Sequence, residues 1–147
     1  MNLLVLDTAT PRAVVALMTS KIIDQRSGSE RVRADDLLSL IDEMLGANQL
    51  RLTDLGAIIV RRGVGSYTGL RVGVTIANSL AWALAIPLVG FTTREPTPIN
   101  QSYLLRSRAR FVTRATQSAT RKRLSWLVPC YGRWQQPAGS ATIQSDS

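Results

Sequence analysis

Two groups of residues in this sequence have the types and spacing that chemistry uses. Gly63, Gly65 and Gly69 stand in the run Arg62-Gly63-Val64-Gly65-Ser66-Tyr67-Thr68-Gly69, between an apolar stretch and a helix-like one. Backbone N–H groups at a helix start form an anion cradle, and glycines let a ligand approach it. The spacing G-x-G-x-x-x-G misses the dinucleotide fingerprint by one residue, and no Lys follows as a P-loop requires. A tight turn that lets the helix lie close to a sheet is the competing reading. Asp7 ends the first apolar run, with Thr8 and Thr10 in the turn behind it. A carboxylate there can meet a magnesium phosphate, or it can simply form an Asx-turn. Further on, Gly69, Gly73 and Ala77 recur every four residues and leave one helix face without side-chain relief. Either a strand of the chain's own sheet or a partner's helix can pack there.

The second group is basic. Residues 1–93 hold nine basic and eight acidic groups, whereas residues 94–147 hold nine basic groups against Glu95 and Asp146 alone, so most of the net +8 sits in the tail. Arg106, Arg108 and Arg110 alternate along it and Arg121-Lys122-Arg123 cluster, with Tyr103, Phe111, Trp126, Tyr131 and Trp134 between them. Such a mixture can grip RNA through phosphate contacts and stacking. The stretch 94–125 shows little sustained period, so a disordered basic arm is expected. The abrupt change near residue 93 also fits a frameshift or truncation product. Removing residues 94–147 is expected to abolish any RNA binding that depends on the tail.

Other chemistry is excluded by composition. The chain has 147 residues, no His and one Cys, Cys130. Ser-His and Cys-His nucleophile pairs, His-containing metal motifs and zinc-finger spacings are therefore absent from it. Asp35, Asp36, Asp42 and Glu43 read as the solvated face and the favourable N-terminal charge of a helix.

The elements that must position these residues follow from periodicity. Leu3–Leu6 and Ala13–Met18 are short apolar runs that read as a hairpin, and Lys21–Arg26 reads as a third strand, at an edge because of its charges. Leu37, Leu38, Ile41, Met44 and Leu45 recur at helical spacing up to Gly46. Leu55–Val60 reads as a buried strand, residues 68–85 as a second helix and Leu88–Phe91 as a last strand. Strand, strand, strand, helix, strand, helix, strand describes a mixed α/β sheet with helices packed on it. The uncharged stretch Val72–Thr93 is long enough for a membrane span, but Thr75, Asn78 and Ser79 would lie in hydrocarbon, and Pro87 and Gly90 break it into a helical piece and a strand piece that suit a buried core. No signal peptide is expected, since Asp7 interrupts the first apolar run.

Leu6-Asp7-Thr8-Ala9-Thr10, Val14–Leu17, the run from Arg62 to Gly73, Ala77–Ala81 and Ile86–Gly90 together resemble the bacterial tRNA threonylcarbamoyladenosine biosynthesis family called TsaB or YeaZ, over residues 1–92. The resemblance implies an actin-like ATPase (ribonuclease H-like) lobe at 1–93, with a five-stranded mixed sheet and two main helices, followed by a basic tail at 94–147. It implies a cytoplasmic, non-catalytic dimerisation subunit, despite the M22 peptidase label of such proteins. That subunit would pair with the catalytic TsaD and act with the ATPase TsaE to modify the adenosine beside the anticodon of ANN-decoding tRNAs. No cofactor is expected on this chain alone, the complex using ATP, and Asp7, Gly63 and Gly65 become vestigial phosphate-site candidates. Leu37, Leu38, Ile41 and Leu45 on the first helix and Gly69, Arg71, Gly73, Thr75 and Ala77 on the second become partner-interface candidates. Gly73→Glu is then expected to abolish pairing without unfolding the lobe. A homodimer, and tRNA contact made indirectly or through the tail, belong to the same expectation. The chain departs from the family at Val64, where Pro is usual, and at Ala34-Asp35-Asp36, where His-Ser-Glu is usual. The alternatives are an RNA binder acting through its basic tail and a vestigial ATP-binding lobe.

Overall fold

Alternation along the strands builds both faces of the molecule. The computed structural model describes residues 1–120 apart from Val32 and Pro96. Strands β1 (Leu3–Asp7), β2 (Val14–Met18), β3 (Ile23–Ser27), β4 (Ala57–Gly63) and β5 (Leu88–Thr92) form one sheet in the order β3-β2-β1-β4-β5. The first three pair antiparallel, whereas β1–β4 and β4–β5 are parallel. As expected, the charged β3 takes an edge. Successive side chains of a strand point to opposite faces. Leu4, Leu6, Val15, Leu17, Ile58 and Val60 therefore share one core, while Leu3, Val5, Val14, Met18, Ala57 and Ile59 share the other.

Helices α1 (Ala34–Ala47) and α2 (Tyr67–Leu84) cover the first face. Leu37, Ile41, Met44 and Leu45 of α1 are buried, with Asp35 and Asp36 exposed in its first turn. Acids at that end favour the helix. The stretch read as α2 plus β5 is a helix and a strand, and no described helix is long and apolar enough to cross a membrane.

A third helix, α3 (Gln101–Thr120), stands where the sequence reading expected an arm without period. It packs on β5, β3 and β4, on the opposite face from α1 and α2. Leu104, Ser107, Phe111 and Ala115 are its buried line. The spacing is helical, but one buried position is a serine and arginines stand between the others, so few apolar residues mark the face. Phe91, Tyr103 and Phe111 form a ring cluster with centroids 5.4–6.5 Å apart. Residues 94–120 thus belong to the same packed unit as the sheet, and a cut at 93 would uncover Val5, Ile59 and Phe91. The cluster Arg121-Lys122-Arg123, with Trp126, Cys130, Tyr131 and Trp134, lies outside the described residues.

Candidate functional site

The carboxyl ends of β1 and β4 bring Asp7, Gly63 and Gly65 together. The parallel register runs from Leu3↔Ala57 to Leu6↔Val60, so the next step sets Asp7 beside Arg61. Both side chains are fully buried, and Arg61 Nη1 lies 3.0 Å from Asp7 Oδ2. Asp7 Oδ1 also accepts from the Ala9 amide at 3.1 Å, and Oδ2 from the Ile99 amide at 3.0 Å. The first of these is the Asx-type turn weighed from sequence. Arg61 Nη1 donates to the Thr97 carbonyl at 2.7 Å, and Nη2 donates to Thr93 Oγ1 and to the Glu95 carbonyl. One buried ion pair therefore ties the segment between β5 and α3 across the strand ends.

Sequence reasoning missed Arg61 because it ended the strand at Val60 and read Arg61-Arg62 as a flank. Parity carries the signal. Ala57, Ile59 and Arg61 point to the same face as Leu3, Val5 and Asp7, so a buried carboxylate and a guanidinium stand in neighbouring rows.

The glycines serve close approach. A Cβ on Gly65 would lie 2.4 Å from the Ala9 carbonyl oxygen, and one on Gly69 would lie 2.1 Å from that of Thr8. On Gly73 it would lie 2.1 Å from Thr8 Oγ1. The turn between β1 and β2 therefore fills the space above the loop and the helix, and the Ser66 amide donates to Ala9 O at 2.7 Å. Of the two occupants proposed for the small-residue face, the chain's own hairpin is the one present. The N-terminus of α2 is capped by Ser66 Oγ, which accepts from the Gly69 amide at 3.3 Å. With Thr8 and Ala9 in the cradle and Asp7 engaged by three donors, these residues do not fit a magnesium phosphate in this arrangement.

The interface candidates divide by exposure. Leu37, Ile41, Leu45, Gly69, Gly73 and Ala77 are buried within the chain itself, whereas Leu38, Arg71 and Thr75 are exposed. Gly73→Glu would consequently drive a side chain into Thr8 and disturb the lobe as well as any partner, which corrects the expectation attached to it. Arg71 and Thr75 line a shallow groove of about 330 Å³ with Ala34, Tyr67, Thr68, Val72 and Ile76, where the first turn of α1 meets α2. Arg71 sits over the Tyr67 ring at 5.4 Å and donates to its hydroxyl at 3.3 Å. Among the described residues, no group of three or more His, Cys, Asp or Glu side chains is placed to hold a metal ion.

Comparison with known proteins points in one direction. Residues 28–96, from before α1 to beyond β5, match the family model of TsaD, tRNA N6-adenosine threonylcarbamoyltransferase. The TsaB protein of Escherichia coli is 33% identical over 94 residues, covering 63% of this chain and 41% of its own length. That of Bacillus subtilis is 32% identical over 105 residues, covering 68% and 44%. The solved YeaZ structure from Pseudomonas aeruginosa superposes with a TM-score of 0.59 at 29% identity, covering 62% of this chain and 43% of that one. Another solved protein, described as similar to peptidase YEAZ from the same organism, has the same TM-score at 30% identity. This chain spans about two fifths of the length of the curated relatives it matches. In its N-terminal part it is similar, in sequence and in its actin-like fold, to the TsaB (YeaZ) tRNA threonylcarbamoyladenosine biosynthesis proteins.

Proposed function

We propose that this chain serves tRNA threonylcarbamoyladenosine formation in the cytoplasm as a non-catalytic subunit that pairs with TsaD through the outer faces of α1 and α2. The observation that carries the reading is the double likeness of one segment. The stretch that holds both helices matches the TsaD family model at residues 28–96, and the chain is 33% identical to a TsaB protein. Two lobes that share a helix layer can meet face to face about a pseudo-twofold axis, as like surfaces do in symmetric dimers. The groove bearing Tyr67, Arg71 and Thr75, with the exposed Leu38 and Trp82, offers a partner an accessible part of that layer.

The strand ends favour holding over catalysis, because the glycine cradle is filled by Thr8 and Ala9 and Asp7 is tied to Arg61 and Ile99. A nucleotide and TsaE would act elsewhere in the assembled complex. A homodimer through the same layer would be the competing product.

The test is co-expression of the full chain with the TsaD of the same genome, followed by size exclusion with light scattering. A stable heterodimer is expected. Thr75→Glu, at an exposed position, should weaken it at least about 30-fold, the effect of losing about 2 kcal/mol at an interface centre. A complex indifferent to Thr75→Glu and to Leu38→Glu would overturn the assignment of this face. Absence of any complex would overturn the pairing role.

A further inference from the structure

Helix α3 carries the strongest unpartnered charge among the described residues. Its basic side chains are Arg106, Arg108, Arg110 and Arg114, and it contains no Lys, Asp or Glu. Arg108 is half-buried and donates to the Thr19 carbonyl, tying the helix to the turn between β2 and β3. Arg106, Arg110 and Arg114 are exposed and stand at i, i+4 and i+8. A rise of about 1.5 Å per residue sets them in one row with steps of about 6 Å. Like charges at this spacing work against an isolated helix. The ion pairs Arg12–Glu30, Arg26–Asp24, Arg51–Asp54 and Arg61–Asp7 involve none of these three arginines. Arg110 is already oriented, lying over the Phe111 ring at 6.0 Å and donating to Ser107 Oγ at 3.1 Å.

We infer that the exposed arginine row of α3 is a docking ridge for the phosphodiester backbone of an RNA. A nucleic-acid strand offers a regular row of single negative charges. Guanidinium, planar and bidentate, is suited to phosphate where lysine acts only as a point charge. A membrane surface fits less well, because an interfacial helix must bury an apolar face in lipid. Here Leu104, Phe111 and Ala115 are already spent against the sheet, which leaves Leu105 exposed on the outer side. The inference rests on the proposed function only in the choice of RNA, a tRNA. The ridge lies on the opposite side of the sheet from the pairing groove, so both surfaces can be occupied at once.

The experiment is fluorescence anisotropy of a fluorescein-labelled tRNA transcript with the full chain, titrated between 50 and 200 mM KCl. Three phosphate contacts correspond to a slope of about −2 in log affinity against log salt for a flexible strand. The triple variant R106Q/R110Q/R114Q, with helicity checked by circular dichroism, should lose about two units of slope and bind at least about tenfold more weakly at the lower salt. A charge-matched variant, R12Q/R31Q/R51Q, removes three exposed arginines away from α3 and should change binding less than about threefold, because it removes no phosphate contact. Equal losses in the two variants would overturn the ridge in favour of net charge. Competition by poly-glutamate as effective as by RNA, or binding to phosphatidylglycerol vesicles without binding to tRNA, would overturn it as well. The triple variant should still co-elute with TsaD, so that an unchanged tRNA affinity refutes the ridge without touching the pairing role.

Discussion

The two faces of the sheet dock their helices by opposite means. On one face α2 comes close because side chains are missing: Gly69 and Gly73 let the carbonyl and hydroxyl of Thr8 lie where Cβ atoms would stand. On the other face α3 is held by bulk and charge, through the Phe91-Tyr103-Phe111 cluster and the buried Asp7–Arg61 pair that fixes the segment leading into it. One strand end serves both sides. Asp7 faces the α3 core, and the next residue, Thr8, sits against α2. A change at the end of β1 is therefore felt in both layers.

The largest effect expected is on the charged side. Arg61→Ala leaves the Asp7 carboxylate buried without its counter-charge and releases the contacts to Thr93, Glu95 and Thr97. Removing one partner of a buried pair costs about 3–5 kcal/mol. Urea denaturation should show that loss, and amide exchange should show earlier opening at Ile99 than in β2. The pair variant D7L/R61M should lose clearly less than the single change, because two matched apolar groups leave no orphaned charge. A single variant as stable as the parent would mean that the 93–99 segment is not anchored by this pair.

How far the sequence could lead differs between the same two faces. The hairpin, the edge strand, α1, α2 and the last strand were all legible, because each is a short apolar run or a strong helical period closed by Gly, Pro or charge. The close approach at Gly69 and Gly73 was legible as a smooth face, but its occupant was not, since spacing says nothing of what fills a gap. Helix α3 was hidden by composition. Its buried line of Leu104, Ser107, Phe111 and Ala115 is thin, and its arginines suggest a solvated arm although Arg106, Arg110 and Arg114 form one exposed side of a docked helix. Arg61 is hidden locally, since a charge after an apolar run looks like the end of a strand. Only pairing β4 with β1 shows that it points inward beside Asp7.

A middle-sized effect separates two glycines on α2. Gly69→Ala pushes its methyl group against the Thr8 carbonyl, which is backbone, whereas Gly73→Ala pushes it against the Thr8 side chain. Overpacking of this kind costs about 1–3 kcal/mol. Thr8→Ala should recover part of the loss at 73 and none at 69, giving a coupling of at least about 0.5 kcal/mol in the first double-mutant cycle. Equal rescue at both positions would mean that the hairpin turn shifts as a body, and the tight docking of that face would then be plastic.

The smallest effect tests whether the glycine-lined helix ends as economically as it packs. Helix α2 closes with the Ile86 amide donating to Ala81 O at 3.0 Å and the Ala85 amide donating to Trp82 O at 3.2 Å. These paired bonds form a Schellman-type stop, with Ala85 left-handed at φ 52. That conformation costs an L residue about 1–2 kcal/mol, and glycine adopts it freely. Glycine also has more unfolded-state freedom to lose, which returns about 0.4–1 kcal/mol of the gain. Ala85→Gly should therefore stabilise the chain by about 0.5 kcal/mol, a rise in Tm of about 2 °C. Because Ala85 is exposed and the apolar contact of the stop is made by Ile86, the same substitution should leave the packing of both faces unchanged. A fall in Tm would mean that the turn into Pro87 is held by the surrounding core and that the left-handed residue carries no strain for glycine to relieve.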